Sequence, residues 1–369
     1  MFRYAGSAVS GRRGLTLVEL LAASSAIVVL GLVAAPAVQQ ARVRARGTTC
    51  ADTLHNLSLG MLAYTVDHED YFPGVNTSGV AVRAKRMLWG SDPSVLHDSS
   101  LPVQSFDWMR PVAGYIGVDT LPDNRAERWH ELWTRFRCPQ QRATSQVYGV
   151  GSPDGDDFEA FTWPACSYLM PAYFSYWGQA HAGDVLSQME GFPQLPVRAR
   201  ALPSSWEVAN EDFVSRLTEV GPPASKVFLA DGTRYVGDGY VSIDVDPDPS
   251  IFGALSGSGG WWSGSSAYGV RTGSLTWDDE VVPYGSPAEG GNLLLSYRHW
   301  PEAGPPMAAP RPDGSAQTNS GAINAVFFDG HVASLTDQAS REISLWYPTG
   351  SVVNDDIGMT HADPGTVIP

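Results

Sequence analysis

Asp329 and His331 stand on either side of Gly330, and His299 lies upstream. A carboxylate beside an imidazole is what general acid–base catalysis and divalent metal sites both use. The same stretch also reads as structure, because Asp-Gly favours a tight turn and His331 then opens a strand. No recognisable nucleophile with its base accompanies these residues, so the structural reading is preferred and no catalytic residue is assigned. Asp244, Asp246 and Asp248 alternate in DVDPDPS. Alternating carboxylates can hold Ca²⁺, which takes six to eight oxygens. Two Pro and no Gly make this unlike an EF-hand loop, and SPDGDD at 152–157 is a second cluster of the same kind. Solvated acidic loops explain both, so no cofactor is expected, with Ca²⁺ as the alternative. The Gly-rich run 257–260 lacks the Lys and the strand–helix setting of a phosphate loop. Trp261 and Trp262, in SGSGGWWSGSS, offer flat faces for sugar rings, for burial under their own loop, or for a neighbouring subunit.

Charge excludes one class of partner. The 369 residues hold 24 Lys plus Arg against 39 Asp plus Glu, a net charge of −15. Such a chain lacks the basic field that nucleic acid demands. Apolar residues make up 43% and charged residues 17%, which allows a real core. There are 3 Cys, too few for a four-Cys zinc site. Cys50 falls on an apolar stripe and reads as a small buried hydrophobe. That leaves Cys138 and Cys166 as the bridge candidates, closing a loop of about 28 residues at roughly 3 kcal/mol. Three pairings exist, and the sequence does not choose among them.

The elements that position these residues begin at the N-terminus. Residues 1–14 carry three Arg and no acid. Residues 15–38 are apolar apart from Glu19, and about 20 apolar residues span a bilayer as a helix. A carboxylate inside such a helix costs about 2.5–3.5 kcal/mol on insertion scales, so Glu19 needs a reason. Arg42, Arg44 and Arg46 flank the far side, so charge bias does not orient the segment. A secretory signal cut after Ala35-Pro36-Ala37 and a plain membrane anchor both fit this composition. Beyond the apolar run, Val43, Gly47, Cys50, Leu54, Leu57, Met61 and Tyr64 form one helical stripe. Residues 15 to about 67 then make a single helix of roughly 80 Å, ended before Pro73. Trp129, Leu132, Trp133 and Phe136 predict a second, short helix. KVFLADG, NLLLSYRH and INAVFF predict strands, with Leu293, Leu295 and Tyr297 on one face and Ile323, Ala325 and Phe327 on another. Local connections favour antiparallel pairing. Residues 246–291 read as a decorated loop or a small subdomain, without regular structure.

Gly14, followed by Leu15-Thr16-Leu17-Val18-Glu19, resembles the processing site of type IV pilins and pseudopilins. That family has a basic leader ending in Gly, an apolar first mature residue and Glu at the fifth. Pro36 falls where pilins often carry a kinking Pro. A bacterial branch of pilin-like proteins is resembled by Cys50, Asn56-Leu57, Leu59-Gly60, Tyr64, Phe72-Pro73, Cys138-Pro139, Ser167-Tyr168 and residues 226–232. Its C-terminal signature, a His, nine residues, then Asp-Gly, is approached by His299 with Asp329, Gly330 and His331. Here 29 residues separate His299 from Asp329, as if a surface loop were inserted. Cys50 and Cys138 are the two cysteines at family-like positions.

The resemblance implies an α+β fold in which a long N-terminal helix packs on an antiparallel sheet. It divides the chain into a leader at 1–14, a transmembrane and assembly half-helix at 15–42, and a periplasmic or surface head at 43–369. It implies cleavage between Gly14 and Leu15 by a prepilin peptidase, methylation of the new amine, and assembly contacts at Glu19 and Pro36. Losing the leader's three Arg takes the net charge from −15 to −18. The partners it implies are the inner membrane and other pilins or pseudopilins, in a pilus-like or type II secretion-like filament. A surface-anchored module that binds glycans through its aromatic loop, without assembling, is the alternative.

Overall fold

The computed structural model describes residues 16–73, 108–122, 125–141, 144–148, 163–164, 167–175, 177–181, 208–232, 242–244, 276–277, 280–281, 298–299, 321–340, 342–354 and 364–369. Two compact units divide the chain, Met1–Ala45 and Arg46–Pro369. Helix α1, Leu17–Asp67, begins in the first and ends in the second, continuing through Pro36.

In the first unit every described residue from Thr16 to Arg42 is exposed, including Leu20, Leu21, Ile27 and Val33. Among the described residues α1 is the one helix long and apolar enough to cross a membrane. In the second unit the expected stripe turns inward. Cys50, Leu54, Leu57 and Met61 have no exposed surface. They share one core with α2 (Met109–Ala113) and α3 (Arg125–Arg135), through Met109, Val112, Leu132 and Trp133. Gly60 lets α2 approach: a Cβ there would lie 2.6 Å from Val112 Cγ1 and 2.7 Å from Ile116 Cγ2.

The end of α1 comes earlier than Pro73 requires. Glu69 takes φ 53° and Asp70 φ 67°, both left-handed. The Asp70 amide then donates back to the Thr65 carbonyl at 2.9 Å. That is the long bond of a Schellman stop, with Glu69 where glycine is usual.

The strands are β1 (Thr144–Tyr148), β2 (Trp163–Pro164), β3 (Tyr168–Leu169), β4 (Val208–Ala209), β5 (Val227–Asp231), β6 (Ser242–Asp244), β7 (Thr276–Trp277), β8 (Glu280–Val281), β9 (Ala322–Phe327), β10 (Val332–Thr336) and β11 (Val352–Val353). The main sheet runs β10-β9-β5-β3, and all of its pairs are antiparallel, as expected. Both faces of β9 are buried. Ile323, Ala325 and Phe327 share a core with Trp346 and Tyr347, while Val326 and Phe328 share the core of α1. A bulge between Val227 and Leu229 breaks the alternation of β5. It places the consecutive Phe228 and Leu229 in the α1 core.

Two expectations are corrected here. The pairing is not wholly antiparallel, because β1 pairs with β6 in parallel within a separate sheet, β2-β1-β6. The stretch 246–291 is not free of regular structure, because β7 and β8 pair within it. Leu293, Leu295 and Tyr297 lie outside the described residues.

Candidate functional site

The hairpin that carries Asp329 differs from the expected two-residue turn. The Phe327 amide donates to the His331 carbonyl at 2.9 Å, which closes a three-residue loop of Phe328, Asp329 and Gly330. Within it the Gly330 amide donates to the Phe327 carbonyl at 2.9 Å, and only Gly330 has positive φ, 90°. This is a type I turn followed by a left-handed residue. Phe328 explains the extra residue. Its ring has no exposure and packs 5.1 Å from Phe72 and 4.9 Å from Phe174, filling the core, while its amide still donates to the Lys226 carbonyl at 3.1 Å.

Asp329 Oδ1 accepts from the His331 amide at 3.1 Å and lies 2.6 Å from His331 Nδ1. Partial burial pushes the Asp329 carboxyl up, but the His331 ring and amide outweigh it and hold it below its ordinary value. The His331 ring stacks on Phe327 at 4.1 Å. The Gly330 carbonyl lies 2.9 Å from His55 Nδ1 on α1. Each polar contact described here serves the turn or its seat on the helix.

His299 does not join them. Its amide and carbonyl bridge to Ala322 at 3.0 and 2.7 Å, at the first residue of β9. Asp329 lies two residues past the end of β9, so the two halves of the expected motif sit at opposite ends of that strand. His299 Nε2 instead lies 2.8 Å from Asp231 Oδ2, and neither side chain has exposed surface. Asp231 Oδ2 also accepts the Asn324 amide at 2.6 Å, while the Asn324 side chain donates to the Gly47 carbonyl of α1 at 3.3 Å. The other ring nitrogen, Nδ1, faces Gln140 Oε1.

The cysteine reading is also corrected. Cys50 bonds to Cys138, with an S–S length of 2.06 Å across 88 residues. Cys50 is therefore not a free hydrophobe, and Cys138 is not free to bridge Cys166, which lies outside the described residues. The stripe that buries Cys50 aims it at the chain leaving α3, where Cys138 is equally buried. Cys138 Sγ lies 3.9 Å from His299 Nε2.

Gly14 and Leu15 lie outside the described residues, as do Asp246, Asp248, Trp261, Trp262 and the 152–157 and 257–260 runs. Asp244 is the last residue of β6. At the start of α1, Glu19 Oε2 accepts from the Thr16 amide at 2.8 Å and from the Thr16 hydroxyl at 2.9 Å. The Glu19 amide donates back to Thr16 Oγ1 at 3.3 Å. This reciprocal pair is a capping box, legible in the sequence as Thr16-x-x-Glu19 before an apolar run. Asp231, Gln140 and Lys226 also escaped the sequence reading. For Asp231 and Lys226 the signal was a charge at each end of the apolar VFLA. Lys226 is buried, and its Nζ donates to the Ser344 and Pro369 carbonyls at 2.9 and 2.7 Å.

No family model, characterised protein or solved structure matches the chain.

Proposed function

We propose that this chain is a pilin-like structural subunit, cleaved after Gly14 and held in the inner membrane by residues 15–42. It joins other pilins or pseudopilins in a pilus-like or secretion filament, as a minor component because its head is large. One observation supports this reading above the rest: a single helix, Leu17–Asp67, is apolar and exposed in its first part and supplies core residues of a folded unit in its second. An ordinary signal cut after Ala37 would discard that first part. A plain anchor needs the apolar run and uses Glu19 only to cap the helix start. In a filament, the Leu15 amine made by cleavage meets the Glu19 carboxylate of a neighbour in a bundle with little water. There a charge pair is far stronger than at an exposed surface and sets axial register. Thr16 holds that carboxylate at the helix start until a partner amine arrives.

Processing is tested by mass spectrometry of the mature N-terminal peptide. A peptide beginning at N-methylated Leu15 is expected. A start at Val38 would establish the ordinary signal and end this reading.

A further inference from the structure

Two thiolates and an imidazole, buried together, are ligands that Zn²⁺ prefers. Cys50 Sγ, Cys138 Sγ and a ring nitrogen of His299 lie within 4.8 Å of one another, all buried. They come from α1, from the chain after α3, and from the strand position beside β9. Asp231 stands at the edge of this group, with Oδ2 at 2.8 Å from His299 Nε2. Its other oxygen, Oδ1, is buried and has no hydrogen-bond partner among the described residues. A carboxylate oxygen buried without a donor is costly, and a cation is one group that would satisfy it.

The second ring nitrogen is already arranged for ligation. His299 Nδ1 faces the Gln140 side-chain oxygen, which makes Nδ1 an N–H and leaves Nε2, beside Cys138 and Asp231, as the nitrogen that would give up its proton to a metal. Zn–S near 2.3 Å and Zn–N near 2.0 Å put neighbouring S and N ligands about 3.5 Å apart in a tetrahedron. The 3.9 Å between Cys138 Sγ and His299 Nε2 is close to that edge. What separates the described state from a metal site is the sulfur–sulfur bond itself.

We propose that Cys50, Cys138 and His299 form a redox-gated site for Zn²⁺, closed while the disulfide stands and open when it is reduced, with the neighbouring Asp231 carboxylate moving in as the fourth donor. A dithiol supplies the two electrons. Its thiolate attacks one sulfur, its second thiol resolves the mixed disulfide, and it leaves oxidised while Cys50 and Cys138 become thiols. Zn²⁺ then displaces both thiol protons and the proton between His299 Nε2 and Asp231 Oδ2, and all three pass to water. All four side chains have no exposed surface, so exchange occurs in a chain whose head has not yet closed. The disulfide ties α1 to the chain after α3, and the metal would keep that link and add His299 and Asp231 beside the main sheet, each cross-link suited to one redox environment. This inference does not depend on whether the chain assembles.

The test uses the full chain in detergent, reduced with a phosphine in denaturant, refolded without oxygen, and titrated with Co²⁺ as a spectroscopic stand-in for Zn²⁺. One equivalent, with thiolate-to-cobalt charge transfer and the intense visible bands of tetrahedral cobalt, is expected in the reduced chain and none in the oxidised chain. His299→Ala and Asp231→Asn should each weaken binding at least tenfold, and Cys166→Ser should leave it unchanged. Where His299→Ala fails to refold, Gln140→Ala keeps every ligand and should still weaken binding about tenfold. Equal binding by oxidised and reduced chains would overturn the proposal. So would no binding by the reduced chain, or undiminished affinity in Gln140→Ala and Asp231→Asn.

Discussion

Adding one methyl group at Gly60 should destabilise the head, although alanine is the better helix former. Gly60 is buried inside α1, so Ala gains about 1 kcal/mol in helix propensity. Against this, the new Cβ would stand 2.6 Å from Val112 Cγ1, 2.7 Å from Ile116 Cγ2 and 3.2 Å from the Val112 carbonyl. Methyl carbons rest about 3.5–4.0 Å apart, so both neighbours must retreat by about 1 Å. Ile116 is half-buried and can turn outward, but Val112 is fully buried, and its branched Cβ leaves it few rotamers. Overpacking of this kind costs about 1–3 kcal/mol, so the net loss is about 1 kcal/mol. Urea unfolding of the full chain in detergent measures it. Gly114→Ala is the control, because nothing lies within 4 Å of its Cβ position and its φ of −61° suits any residue, so it should be neutral or stabilising. Adding Val112→Ala to Gly60→Ala should recover part of the loss, a coupling read from a double-mutant cycle. A Gly60→Ala chain as stable as wild type, or strict additivity with Val112→Ala, would refute the close approach of α1 and α2.

Three further outcomes are expected. Gly330→Val should cost about 2 kcal/mol or more in the same assay, because an L residue at φ 90° is strained while the space there is open to 3.6 Å; Gly330→Asn should cost less, and equal costs would refute the left-handed turn. Burial pushes the Lys226 ammonium down to about 8 from 10.5. Between those values the unfolded chain binds more protons than the folded one, so stability should rise with pH there, by at most about 3 kcal/mol. A Lys226→Met chain should lose that slope between pH 7.5 and 9.5, and a slope equal to wild type would exclude Lys226 as its source. Peptide mapping without reductant should recover Cys50 linked to Cys138, and Cys138→Ser should cost about 4–5 kcal/mol for a loop of 88 residues; a Cys138–Cys166 peptide would contradict the pairing.

What the sequence revealed and concealed follows from the range of each signal. The stripe from Gly47 to Tyr64 was legible because a buried helix face repeats every three or four residues. Strands β5 and β9 were legible as short apolar runs, β3 was not, and Asp-Gly placed the hairpin correctly. The turn type was not legible, because Asp-Gly does not report loop length, and Phe328 enters the loop only through its contacts with Phe72 and Phe174. Cys50 was misread for a related reason: a stripe position shows that a side chain is buried, not what it meets. The partners of Cys50 and His299 lie 88 and 68 residues away in the chain, at Cys138 and Asp231. Such contacts belong to tertiary structure, and no local spacing encodes them. The Thr16–Glu19 box was local and legible, but Glu19 drew attention as a charge in an apolar run rather than as a cap.

The most direct test of the proposed function is Glu19→Val, read by crosslinking in membranes with cleavage after Gly14 measured in the same cells. The change removes the carboxylate and leaves the apolar run longer, so insertion and cleavage should stay near wild type. Thr16 loses its capping partner, a local cost of about 1 kcal/mol that a helix held by the bilayer tolerates. Crosslinks to other pilin-like chains should disappear. A Glu19→Val chain that is cleaved normally and still crosslinks to its partners as wild type does would show that Glu19 is not an assembly contact, and would contradict the filament reading.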